Sequence, residues 1–351
     1  MPAANSSILS QQSLSKHAIP LEHVSSNRAI FLPWQIEHMG MTSNGFWSLG
    51  PYGFHWIAYT DWGNPNNGHV LVCVHGLMRN SRDFDFLAHG LERDFRVVCM
   101  DVVGRGRSDW LPQNREYGFQ LYQSDAAALI ARVTGPRATS RLSALLPARH
   151  REEGRPWVDW LGTSMGGLIG MLLAAQPNSP IRRLVLNDVG PLVPWSALMR
   201  LKGVLGRQTH FASLEELEAA LREACSEWGQ LTDEQWRHMA EHSARQLEGG
   251  GYGLAADPGI AHLGPLELSS GTRSGNQTLR GVDLWSVWDA IRCPVLVLRG
   301  KASDVLLPDT AQEMLTRGPN TRVVEFEGIG HAPSLMTADQ IDLVRDFLLA
   351  S

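Results

Sequence analysis

Hydrophobic positions along this chain fall into short unbroken runs rather than strict alternation. Such runs cover 69–76, 95–101, 157–162, 181–188, 294–300 and 322–326. An apolar stretch of this length, without period-2 alternation, reads as a strand buried on both faces of a sheet. Segments of helical length lie between the runs, at 84–91, 121–133, 168–175, 283–291, 308–315 and 337–349. Repeated strand–helix alternation predicts the α/β class, with a mostly parallel, doubly wound sheet. Ahead of the first run, 45–62 carries two shorter apolar segments joined at Gly50-Pro51, which predicts an edge hairpin.

The alternation stops between 191 and 282. Ser213-Leu214-Glu215-Glu216 opens a predicted helix to about Trp228. Thr232-Asp233-Glu234-Gln235 opens another to about Leu247, before Gly249-Gly250-Gly251. Each opening is a capping box, in which side chains satisfy the first free amides of a helix. The stretch is too long for an ordinary connection, so it reads as a helical insertion. The expected organisation is an arm over 1–40, a first core part over 41–190, the insertion over 191–282 and a second core part over 283–351. Residues 134–156, rich in proline and arginine, read as a surface loop with a helical turn near 142–146.

Composition narrows the classes. The 351 residues are 43% hydrophobic and 19% charged, which are globular values. A formal charge of −5 provides no basic surface for nucleic acid. No apolar run approaches a membrane span, and the N-terminus lacks a signal peptide's shape, so a cytoplasmic protein is expected. Cys73, Cys99, Cys225 and Cys293 form no CxxC pair and read as small buried hydrophobes, although a Cys73–Cys99 bond is conceivable if their strands are neighbours. Oligomeric state stays open.

In a doubly wound sheet, ligands bind beyond the carboxyl ends of the strands, so chemistry is sought there. One run ends in Gly162-Thr163-Ser164-Met165-Gly166 and passes straight into a helical segment. A sharp strand-to-helix turn with serine at its apex projects the hydroxyl above the sheet, and side chains at 162 and 166 would clash. A free serine hydroxyl is a weak nucleophile and needs a base held by a carboxylate. His331 follows the last strand. Asp304 follows the one before it and is taken as the acid ahead of Asp188, which also ends a strand. His75 sits in the loop after the first run and reads as fixing that loop. The Gly104/Gly106 pair reads as a tight loop, since a dinucleotide fingerprint needs a third glycine.

On these residues the chain resembles the α/β-hydrolase fold enzymes, as a serine esterase-like member with a helical cap. The resemblance rests on His75-Gly76, Asp101-x-x-Gly104-x-Gly106-x-Ser108, Gly162-Thr163-Ser164-Met165-Gly166-Gly167, Gly300-x-x-Ser303-Asp304 and Gly330-His331-Ala332-Pro333. It implies an oxyanion hole from the amides of Leu77 and Met165 and an apolar lid over an acyl pocket. Trp195, Phe211, Trp228, Trp236, Tyr252, Trp285 and Trp288 are the lid's candidates. The expected activity is cleavage of a small ester through an acyl-enzyme, with no cofactor and no metal. A lactonase, a hydroxyacid-oligomer hydrolase and a carbon–carbon bond hydrolase would share the machinery. A non-catalytic receptor on the same fold is the alternative of another class.

Overall fold

A computed structural model describes residues 40–135, 156–205, 210–262 and 281–350. The arm expected over 1–40 and the loop expected over 134–156, with its helical turn, fall outside the described residues but for their margins.

The edge hairpin is β1 (Thr42–Gly50) and β2 (Gly53–Trp62), paired antiparallel. Strand–helix alternation follows: β3 (Val70–Val74), α1 (Asp85–Leu91), β4 (Arg96–Met100), α2 (Phe119–Thr134), β5 (Val158–Thr163), α3 (Met165–Ala174) and β6 (Ile181–Asn187). It resumes later with α7 (Trp285–Ala290), β11 (Val295–Gly300), α8 (Pro308–Thr316), β12 (Thr321–Phe326) and α9 (Ala338–Leu349). Among the described residues these strands form an eight-stranded sheet in the order β1-β2-β4-β3-β5-β6-β11-β12. All neighbours from β4 onward are parallel. The doubly wound α/β sheet is the one the apolar runs predict.

The runs are continuous because both faces are covered. Strand β3 sends Val72 and Val74 into one core and Leu71 and Cys73 into the other, and β11 divides Val295 and Val297 from Leu296 and Leu298 in the same way. Burying each such side chain contributes roughly 1.5–3 kcal/mol. The central strands are thereby fixed, and the loops at their carboxyl ends with them. Cys73 and Cys99 are register partners on β3 and β4, as the disulfide idea required, yet both are free thiols. None of the described helices is long and apolar enough to cross a membrane.

Between β6 and β11 the described residues hold β7 (Leu192–Pro194), α4 (Trp195–Leu205), α5 (Leu214–Ala224), α6 (Asp233–Ser243), β8 (Ala244–Gln246), β9 (Tyr252–Leu254) and β10 (Gly281–Asp283). Strands β7 and β10 pair antiparallel, so the two ends of this stretch close on each other. At α5 the Ser213 side chain accepts from the Glu216 amide, and at α6 both halves of the Thr232–Gln235 box are made. The helices stop earlier than the pattern suggests. Helix α6 ends at Ser243 because 244–246 pair with 252–254 about a turn in which Gly250 and Gly251 take φ of +87° and +74°. Glycine alone adopts such values without strain.

Candidate active site

Ser164 stands between β5 and α3 with φ 52° and ψ −114°, a conformation costing a non-glycine residue roughly 1–3 kcal/mol. The surroundings impose it. A Cβ at Gly162 would lie 2.2 Å from the Gly166 carbonyl group, and one at Gly166 would lie 2.0 Å from the Val74 oxygen. The Ser164 amide donates to the Asn187 carbonyl at 2.9 Å, tying the turn to the end of β6.

A histidine reaches the serine from the loop after β12. His331 Nε2 lies 2.9 Å from Ser164 Oγ, and His331 Nδ1 lies 2.7 Å from Asp188 Oδ2. A carboxylate only accepts, so Nδ1 donates to Asp188 and Nε2 is left to accept from the serine hydroxyl. Asp188 is fully buried just beyond β6. Its Oδ1 accepts from the Gly300 amide at 2.9 Å, and its Oδ2 also accepts from Ser303 Oγ at 2.5 Å. A buried carboxylate needs this satisfaction.

Asp304, taken from the sequence as the acid, is not the residue beside His331. Its carboxylate is gripped by Arg200 of α4 at 2.6 and 2.7 Å, and its side chain is 45% exposed. The reason is local. Ser303 Oγ accepts from the amides of Val305 and Leu306, forming a tight turn that aims residue 303 at Asp188 and residue 304 outward. Partial burial acts to raise the Asp304 carboxyl, but Arg200, with His331 adding to it, outweighs this and holds it below its usual range. The loop after β11 thus holds the buried Asp188 carboxylate and turns its own Asp304 away from His331.

His75, fully buried, secures the loop after β3. Its Nε2 accepts from the Val102 amide at 3.0 Å, so Nδ1 carries the proton and donates to the Gly76 carbonyl at 2.7 Å. Burial, and next the nearby Arg105 and Arg79, lower its pKa to about 3, so the ring is neutral. The Gly76 carbonyl shares a peptide plane with the Leu77 amide, and fixing one fixes the other. Arg105, also fully buried, donates from Nε to the Leu77 carbonyl at 2.9 Å and from Nη1 to the Val103 carbonyl at 2.7 Å, with Nη2 3.7 Å from Met165 Sδ. The role of Arg105 is non-local, and no local signal gives it. Met165 opens α3, where backbone amides have no partner within the helix and the helix end carries partial positive charge. A Cβ at Gly76 would meet Ser164 Cβ at 3.8 Å and Arg79 Cγ at 4.0 Å, so this loop flanks Ser164.

Of the seven aromatic candidates, Trp228 contacts the loop carrying His331. Its Nε1 donates to the His331 carbonyl at 2.9 Å, and the Arg79 guanidinium lies 5.5 Å from its ring centroid. Trp236 and Trp288 are core residues and Trp195 is exposed. Asp85, His238 and His242 place potential metal-ligand atoms within 4.8 Å of one another. Arg82 stands among them, donating to Asp85 at 2.6 Å and lying 3.4 Å from His242 Nδ1. Its fixed positive charge disfavours a cation there. The cluster joins α6 to the core.

Comparison with known proteins bears on the fold and the family. The sequence model of the alpha/beta hydrolase family matches residues 71–345. A 3-hydroxybutyrate-oligomer hydrolase from Cupriavidus necator is 40% identical over 302 residues, spanning 85% of this chain and 94% of that protein. Among solved structures, a putative hydrolase from Rickettsia typhi superposes with TM-score 0.74 at 27% identity, covering 88% of this chain and 99% of that one. An alpha/beta hydrolase from Novosphingobium aromaticivorans gives TM-score 0.69 at 31% identity, covering 88% and 98%.

Proposed function

The chain belongs to the alpha/beta hydrolase family, and from that premise we propose that it cleaves carboxylic esters through an acyl-enzyme, with Ser164 as nucleophile, His331 as base and Asp188 as acid. The observation that carries the proposal is the unbroken relay of 2.9 Å from Ser164 to His331 and 2.7 Å from His331 to Asp188. Ser164 Oγ attacks the ester carbonyl while its proton passes to His331 Nε2. Asp188 stabilises the imidazolium and remains ionised. The amides of Leu77 and Met165 donate to the developing oxyanion; a preorganised donor of this kind contributes about 3 kcal/mol. His331 then protonates the departing alcohol, and water, activated by the same histidine, releases the acid.

The substrate class we assign is short oligomers of a hydroxyacid such as 3-hydroxybutyrate, supported by the Cupriavidus relative, which is matched over nearly its whole length. The segment 191–282 acts as the cap over this site: Trp228, from it, and Gln235, whose Nε2 donates to the Met336 carbonyl at 3.1 Å, both touch the loop carrying His331. The four free cysteines fit a reducing compartment, consistent with a cytoplasmic location.

The test is hydrolysis of p-nitrophenyl esters of rising acyl length and of 3-hydroxybutyrate dimers, by wild type and Ser164→Ala. Wild type is expected to turn over both, and Ser164→Ala is expected to fall to background. Turnover by the variant at the wild-type rate sinks the mechanism. Ester activity without dimer cleavage sinks the substrate assignment alone.

A further inference from the structure

Arg79 is a buried cation beside the nucleophile that the acyl-transfer chemistry does not use. Its stem starts next to the space between Gly76 and Ser164. Asp83 takes one edge of the guanidinium, accepting from Nε at 2.9 Å and from Nη2 at 2.5 Å. Trp228 lies at 5.5 Å from the guanidinium carbon, within cation–π range, and is itself anchored on the His331 carbonyl. These contacts hold the group in one orientation. No group among the described residues accepts from Nη1, and the side chain keeps 10% of its surface open. Nη1 is therefore neither satisfied nor sealed away from solvent, whereas a fully buried unsatisfied donor would be costly.

Other nearby cations are committed. Arg105 is sealed in and spent on the carbonyls of Leu77 and Val103. Arg200 is exposed and closed in a fork on Asp304. The edge of Arg79 formed by Nη1 and the second Nη2 hydrogen offers two parallel N–H bonds, the pattern that matches a carboxylate.

We propose that Arg79 is a carboxylate-binding subsite that takes the free acid end of an ester substrate and places it against Ser164. The inference rests on the ester-hydrolase reading and deepens it. A hydroxyacid dimer holds its carboxylate a few bonds from the scissile ester, so one molecule can span the nucleophile and this guanidinium. Arg79 is then a specificity residue that separates free oligoacids from neutral esters.

The experiment compares kcat/KM for the 3-hydroxybutyrate dimer as free acid and as methyl ester, in wild type, Arg79→Gln and Arg79→Lys. Losing a charge-assisted bond should lower the acid-to-ester ratio by about tenfold to a hundredfold in Arg79→Gln, chiefly through KM on the acid. Arg79→Lys should recover part of it, having the charge without the fork. Because the ratio is taken within one variant, partial misfolding cancels. An unchanged ratio overturns the proposal. A second readout is competitive inhibition of p-nitrophenyl butyrate hydrolysis by 3-hydroxybutyrate. Its loss in Arg79→Gln supports the subsite, and its retention overturns it. This readout decides the matter even if wild type cleaves neither dimer, an outcome that counts against the oligomer assignment and not against the anchor.

Discussion

Asp188 Oδ2 and His331 Nδ1 stand 2.7 Å apart, although 143 residues separate them in the chain. Asp304, much nearer to His331 in sequence, faces α4 instead. Asp188 is closed off from water and tied to Gly300 and Ser303. The carboxylate is thus held in place by partners other than the histidine.

This relationship separates two substitutions. Asp188→Asn keeps the shape but lets the histidine adopt the wrong tautomer, and is expected to lower kcat by about ten-thousandfold. Asp304→Asn removes one half of an exposed ion pair, a contact contributing roughly 0–1 kcal/mol, and kcat should change by less than about fivefold. Steady-state kinetics on p-nitrophenyl butyrate checks both. A large loss confined to Asp304→Asn would restore the acid expected from sequence.

Ser164, the histidine that meets it and the loop after β3 were legible in the sequence as positions, because each lies just beyond an apolar run. A buried parallel strand announces its own end, and the glycines at 162 and 166 mark a turn that tolerates nothing larger. Which carboxylate would meet His331 was harder. Adjacent strands β6 and β11 both end near an aspartate, and sequence does not say which way a side chain leaves a turn. What decides it is Ser303, whose hydroxyl bonds to Val305 and Leu306 reverse the chain so that its neighbour points outward. Trp228 stood among seven aromatic candidates, but its contact, like those of Arg105, is with a distant segment, so no local pattern singles either out.

His75 makes stability depend on pH. Its folded pKa of about 3 lies below the unfolded value of about 6.5. Between those values the unfolded chain binds a proton that the folded protein refuses. The contribution is therefore complete above pH 6.5 and is lost as pH falls toward 3. Wild type should lose about 2 kcal/mol more than His75→Gln between pH 6.5 and pH 5, read from urea unfolding midpoints at each pH. Parallel curves for the two proteins would show that His75 is not held neutral.

Gly166→Ala tests the packing of the elbow. Its new Cβ would lie 2.0 Å from the Val74 oxygen and 2.5 Å from its carbon, both backbone atoms of β3 that cannot turn aside. The variant should lose more than about 3 kcal/mol of stability along with its activity. Gly249→Ala is the control: a Cβ there meets nothing within 4 Å, and its melting temperature should stay close to that of wild type.

The backbone angles of Ser164 make reactivity and stability compete at one atom. Serine there sits at φ 52°, where glycine would rest without strain. Ser164→Gly should unfold at a higher temperature than the working enzyme, by an amount equivalent to roughly 1 kcal/mol, while hydrolysing nothing. A copy of this gene released from selection for turnover would thus be free to drift toward glycine at 164. Under the proposed mechanism, turnover alone would favour serine over glycine at that position.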